Sequence, residues 1–187
     1  MSAAAGLDDA TEMAQARATA PTSSAWVSAN AGSGKTFVLS RRVVRLLLAG
    51  TEPGKILCLT FTKAAAAEMA RRVFADLGRW TRLGDAALAA EIAALEGRPP
   101  SADEIARARR LFAAALDTPG GLKIQTIHAF CERLLHQFPF EANVAGHFEV
   151  LDDRNAAALK AEARRVLLVR AAGDPGSELG RALALVL

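Results

Sequence analysis

The sequence predicts an α/β fold, a parallel sheet with flanking helices, followed by the start of a mainly helical second domain. Three observations predict it. A loop of small residues, Ala29 to Thr36, lies between a short run of strand length and an amphipathic helix. A second apolar run, Lys55 to Thr62, passes directly into strong helix formers, so strand, loop and helix occur twice in the order of parallel βαβ units. A third short run, Lys123 to Thr126, opens another helix.

Residues 7 to about 20 are Ala-rich, with Asp8, Asp9 and Glu12 early and Arg17 late, which suits a short helix whose charges complement its dipole. Gln15 lies on it. Pro21-Thr22-Ser23-Ser24 breaks that helix, and the stretch from Ser24 to Ser28 is expected to be a buried strand. The next residues fit the phosphate loop G-x-x-x-x-G-K-[ST], with Ala29 where the first glycine usually stands. Gly32 and Gly34 lack a Cβ, so the chain is free to turn its N–H groups toward phosphate oxygens. The following helix adds unpaired N–H groups and the positive end of its dipole. Lys35 supplies a charge for the outer phosphates and Thr36 a hydroxyl ligand for Mg²⁺. Ala29, Asn30, Ala31, Gly32, Ser33, Gly34, Lys35 and Thr36 therefore read as a cradle for a nucleoside triphosphate such as ATP, with Lys35 and Thr36 carrying the catalytic contribution.

The helix after the loop carries Phe37, Val38, Val43, Val44, Leu46, Leu47 and Leu48 and stops at Gly50, before a turn at Pro53-Gly54. Lys55 to Thr62 reads as a strand covered on both faces, and Lys63 to about Trp80 as a helix. Only helical patterns follow: Asp85 to Leu95, then a helix to about Asp117 opened by the capping box Ser101-Ala102-Asp103-Glu104. Lys123 to Thr126 is the third short strand and Ile127 to Gln137 the helix after it. Phe148 to Leu151 is a further extended piece, Asn155 to about Ala171 a long helix, and Ser177 onward the start of another. The uncapped apolar end Leu183-Ala184-Leu185-Val186-Leu187 leads to the expectation that the chain is a truncated piece of something longer.

A chain of 187 residues with 51% hydrophobic and 23% charged residues is globular rather than disordered. The net charge of +3 is a weak pull toward an anionic partner, and 18 of the 23 basic residues are Arg, the side chain suited to bidentate phosphate contacts. Cys58 and Cys131 lie far apart and are expected to be buried free thiols in a reducing, cytoplasmic setting. No stretch reaches the length of apolar residues a membrane span needs, so no membrane role is expected.

Four segments together resemble the N-terminal part of superfamily 1 DNA helicases of the UvrD/Rep type, and most of all the AddA branch, the helicase–nuclease subunits that process double-strand breaks. They are Ala10 to Gln15, Ala29 to Thr36, Leu59 to Met69, and Ile124 to Leu135. The resemblance implies a RecA-like P-loop NTPase domain over 1–138, incomplete here, and the truncated start of a helical accessory domain over 139–187. It implies ATP and Mg²⁺ as cofactors, an ATP-dependent 3′–5′ DNA helicase as the parent enzyme, single- and double-stranded DNA as partner and, in the manner of an AddAB-type complex, a second subunit. Gln15 would read the adenine edge, which a side-chain amide can do with one donor and one acceptor. Thr60, Phe61, Thr62 and Lys63, then Thr126 and His128, would contact DNA. The family more often has Asn-Lys after Thr-Phe-Thr, whereas Lys63 and Ala64 stand there in this chain.

Hydrolysis also needs carboxylates for the metal and the attacking water. Phe148-Glu149-Val150-Leu151-Asp152-Asp153 imitates an apolar strand ending in two acids, although Glu149 interrupts it. The alternative function is thus a small self-contained P-loop NTPase or nucleotide kinase completed by Asp152 and Asp153. On the helicase reading this chain alone binds the nucleotide with little or no turnover.

Overall fold

The structure, a computed structural model, describes residues 9–28, 30, 32 and 34–186. Two compact units divide between Cys131 and Glu132.

In the first unit, helix α1 (Asp9–Ala18) precedes α2 (Lys35–Leu48), and a 3₁₀ turn at Pro53–Lys55 leads into strand β1 (Leu57–Thr60). Helices α3 (Lys63–Trp80), α4 (Asp85–Glu96) and α5 (Ala102–Leu116) follow, then strand β2 (Lys123–Thr126) and the beginning of α6 (Ile127–Gln137). The two strands pair in parallel with Leu57 opposite Lys123 and Thr60 opposite Thr126. The fold is therefore a mostly helical α/β arrangement around a short parallel pair. The stretch 24–28, expected as a strand, is not one: it makes no ladder, and Trp26 is 95% exposed. A lone extended segment has nowhere to place its backbone N–H and C=O groups except water, and among the described residues only β1 and β2 supply each other with partners.

The core is made by one face of each of four helices. On α2 the buried positions are Val43, Val44, Leu47 and Leu48, and on α3 they are Met69, Val73, Leu77 and Trp80, both at helical spacing. Leu88 and Ile92 of α4, and Ala108, Leu111 and Ala115 of α5, close over them with Ile56. Each fully buried Leu stabilises by roughly 1.5–3 kcal/mol. Small residues let α3 and α5 approach: a Cβ on Gly78 would come within 3.3 Å of the Phe112 ring, which meets Phe74 edge-on at 6.2 Å.

Arginines hold the helix ends. Arg107 donates to the Leu48 carbonyl (2.8 Å) at the end of α2, and Arg109 to the Trp80 carbonyl (2.9 Å) at the end of α3. At the start of α5 the expected capping box is present: Glu104 N–H donates to Ser101 Oγ (3.2 Å) and Ser101 N–H to Glu104 Oε2 (2.8 Å). The Arg98 guanidinium, which donates to both Glu104 oxygens, and then the Ser101 N–H hold the Glu104 carboxyl down to about 2. A carboxyl depressed on folding contributes stability above its unfolded value of about 4.3 and loses it as pH falls through the folded one. Acid unfolding followed by circular dichroism is therefore expected to lose a component between about pH 4.3 and about pH 2, and Arg98→Ala to move it upward. An unchanged acid profile in Arg98→Ala would overturn this.

In the second unit, α7 (Asp153–Gly173) packs against α8 (Glu178–Val186), with Ala171 buried between turns. Leu159, Val166, Leu167, Leu168 and Val169 of α7 are exposed. His136 stacks on Phe148 at 4.2 Å. Phe148 to Leu151 forms no strand. Among the described residues, no helix is long and apolar enough to cross a membrane. Cys58 is half-buried, its thiol pKa pushed up by that burial, whereas Cys131 is exposed, contrary to the expectation of two buried thiols. Cys131 sits in a helix in which none of the residues is buried, so the apolar stripe there covers less than its periodicity suggested.

Candidate nucleotide site and strand edge

The nucleotide site begins at the N-terminus of α2. Gly34 is the residue before the helix, with φ 84°, and Gly32 has φ 81°. Both lie in the left-handed region that a Cβ disfavours, so the glycines are there for the backbone path. No side chain caps α2, and its first turn contains no acid. The first N–H groups and the positive end of the dipole are therefore left for an anion. Lys35, the first helical residue, is exposed, and its Nζ donates to the Asn30 carbonyl (2.5 Å) across the loop. Thr36 is half-buried beside it, with its carbonyl accepting from Ser40 Oγ (2.9 Å). Ala29, Ala31 and Ser33 lie outside the described residues.

Gln15 reaches the same place from α1. A Cβ built on Gly34 would stand 3.7 Å from Gln15 Nε2, an ordinary contact distance, so the side-chain amide lies against the last glycine of the loop. Gln15 and Lys35 both line a cavity of about 570 Å³, whose opposite wall is the extended stretch from Ser23 to Ser28. Gln15 also borders a second cavity, of about 530 Å³, with Met13, Phe37 and Arg41; the Arg41 guanidinium lies 5.2 Å over the Phe37 ring. The residues present fit a nucleoside triphosphate: a donor-rich helix end and one lysine for the phosphates, a room of suitable size, and an amide at its rim.

The strand edge is a separate feature. Because β1 and β2 run parallel with Thr60 opposite Thr126, their carboxyl ends finish side by side. The two segments assigned to DNA contact are thereby brought together, at the edge where open α/β sheets place ligands. Thr60 Oγ1 donates to the Thr62 carbonyl (3.0 Å), Thr62 Oγ1 accepts from Ala65 N–H (3.1 Å) and caps α3, and Phe61 between them is 84% exposed. Lys63 and His128 are exposed. Thr126 is buried and its Oγ1 accepts from Ala129 N–H (3.1 Å), so this hydroxyl shapes the start of α6 rather than facing solvent.

Asp152 and Asp153 do not sit at the end of a strand. Asp152 precedes α7 and its Oδ1 accepts from Asn155 N–H (2.7 Å), an ordinary helix cap, and Asp153 is the first helical residue. The decoy misled because Asp followed by a helix and Asp after a strand read alike until the preceding backbone is known. The sequence also hid two site-supporting residues. Arg41/Arg42 reads as a solvated pair, yet Arg42 is half-buried and binds three carbonyls, and Arg45 is buried. A signal was present: Arg45 interrupts the apolar run Val43-Val44 to Leu46-Leu47-Leu48, and a charge inside a core face needs fixed partners. The pairs Arg71/Arg72 and Arg165 behave as solvated faces, clasping Glu68 and Glu162 on their own helices.

Residues 10–174 match the model of the UvrD/REP helicase N-terminal domain. Curated relatives are named as the AddA subunits of ATP-dependent helicase/nucleases. That of Lactobacillus helveticus is 39% identical over 140 residues, which is 74% of this chain and 10% of the relative. That of Desulforudis audaxviator is 35% identical over 139 residues, 73% of this chain and 10% of the relative. That of Latilactobacillus sakei is 36% identical over 127 residues, 68% and 12% respectively. The chain thus spans about a tenth of the length of the curated relatives it matches.

Proposed function

The chain belongs to the UvrD/REP helicase N-terminal domain family, and from that premise we propose that it is the ATP-binding part of an ATP-dependent DNA helicase acting in double-strand break repair and recombination as a 3′–5′ translocase. The observation that carries the reading is the convergence of Gln15, Lys35 and the uncapped start of α2 on one cavity. A RecA-like P-loop domain over 1–138 and the start of a helical accessory domain over 139–187 complete the proposal. So do a cytoplasmic location and, from the relatives' name, a nuclease activity of the larger protein and a second subunit.

In binding, the N–H groups at the start of α2 and around Gly32 and Gly34 take phosphate oxygens, and Lys35 leaves the Asn30 carbonyl for the outer phosphates. Gln15 meets the adenine edge with its amide. Thr36 offers its hydroxyl to Mg²⁺, which when bound offsets the negative charge on the phosphates. Thr60, Phe61, Thr62, Lys63, Thr126 and His128 form the DNA-facing edge: Phe61 offers a base a stacking surface and Lys63 a phosphate a charge, while Thr126 holds the start of α6 in place.

This chain by itself is expected to bind ATP with little or no turnover. Asp152 is committed to capping α7, which speaks against the self-contained kinase or NTPase reading. The test is ATP hydrolysis with and without single-stranded DNA, alongside a binding titration and Lys35→Ala as control. Binding without hydrolysis is the expected result. DNA-stimulated hydrolysis that Lys35→Ala abolishes would overturn the inert-fragment part, and a folded chain that fails to bind ATP would overturn the whole.

A further inference from the structure

Helix α1 brings Gln15 to the phosphate loop without an apolar face of its own. None of residues 10–18 is buried, and Met13 is 61% exposed. Its attachment is polar and lies at its end. The last carbonyls of a helix have no partner within it, and here two arginines one turn apart on α2 take them. Arg42 Nη1 donates to the carbonyls of Ala18 (2.9 Å) and Ala20 (2.8 Å), and Nη2 to that of Ser23 (2.6 Å). Arg45 Nη1 donates to the Ala16 carbonyl (3.1 Å) and to Thr19 Oγ1 (2.8 Å). Thr19 Oγ1 in turn donates to the Ala16 carbonyl (2.9 Å). Glu96 takes the other side of Arg45, at 2.9 and 3.0 Å, fixing the plane of its guanidinium. Positive charge at a helix C-terminus also meets the negative end of the dipole. A planar five-donor fork can bind several carbonyls at once, as a lysine ammonium cannot with the same fixed geometry.

We propose that Arg42 and Arg45 are positioning residues: they clamp the end of α1 and the crossing segment 18–23 onto the phosphate-loop helix, hold Gln15 against Gly34, and so set the base selectivity of the site. Ala16, the residue after Gln15, is the one whose carbonyl Arg45 grips. The clamp leaves the start of α2 untouched, so it governs the base and not the phosphates. The proposal rests on Gln15 as the base-reading residue.

Titrations of the full chain with ATP, GTP and tripolyphosphate, all with Mg²⁺, test it on wild type, Gln15→Ala and Arg42→Met. A preference for ATP over GTP is expected in wild type and lost in Gln15→Ala. Arg42→Met is expected to cut that preference by about tenfold, the worth of one well-aligned hydrogen bond, with tripolyphosphate affinity within about twofold of wild type. Arg42→Lys recovers part of it. A wild type indifferent to the base, or a Gln15→Ala variant that keeps the preference, defeats the reading of Gln15 and the proposal with it. With those controls as expected, an Arg42→Met variant that retains the preference, or that loses tripolyphosphate affinity in parallel, defeats the clamp alone. If melting curves show Arg42→Met unfolded, Thr19→Val, which removes one acceptor of Arg45 at equal volume, gives the same readout under the same criteria.

Discussion

Lys35→Ala is expected to weaken ATP binding by about 2–4 kcal/mol, roughly 30- to 1,000-fold, provided the ammonium contacts two outer phosphates as water leaves the site. The size separates two physical situations. An exposed charge that merely neighbours an anion is worth about 1 kcal/mol or less, because water and salt screen it. In the ligand-free form Lys35 is exposed and already holds the Asn30 carbonyl, so a triphosphate must replace that hydrogen bond with something stronger for the mutation to matter. Isothermal titration of wild type and variant in the same buffer gives the difference directly. A loss below about fivefold would place Lys35 among screened surface charges and remove it from the cradle.

Much of the chain was legible because its signals are local. The capping box at Ser101 and Glu104, strand β2 at Lys123–Thr126 and helix α6 at Ile127–Gln137 depend on neighbouring residues, and the structure has them where the sequence put them. The stretch 24–28 failed because a strand is a property of two segments. Ala25, Trp26 and Val27 have the residue types for one, but partnership is decided elsewhere in the chain. Cys131 and the residues of α7 failed for a related reason, since periodicity says which side of a helix is apolar and not what covers it. At the candidate site the loop residues carried their own spacing, and Gln15 needed the resemblance to be noticed at all. Arg42 and Arg45 were invisible as site residues because their partners are backbone carbonyls, which any sequence can supply.

Glu96→Ala carries the other large expected effect, a loss of about 3 kcal/mol of folding stability. Arg45 and Glu96 are joined by two hydrogen bonds of 2.9 and 3.0 Å, and their side chains are only 11% and 13% exposed. Bringing both charges out of water costs most of what their attraction returns, so the pair adds little net stability. Removing one partner is different, because the guanidinium stays buried and loses its counter-charge. The cost falls at the low end of the usual range because the Ala16 carbonyl and Thr19 Oγ1 remain as acceptors. Urea unfolding is the measurement, with the double substitution Arg45→Met/Glu96→Leu as its control. An apolar pair of similar volume is expected to restore stability to within about 1 kcal/mol of wild type. If instead Glu96→Ala costs less than about 1 kcal/mol, the pair is effectively solvated and Arg45 is not held in a fixed plane. If the double variant recovers stability but loses the preference for ATP over GTP, the charge is retained at this position for the sake of the site it orients and not for the fold.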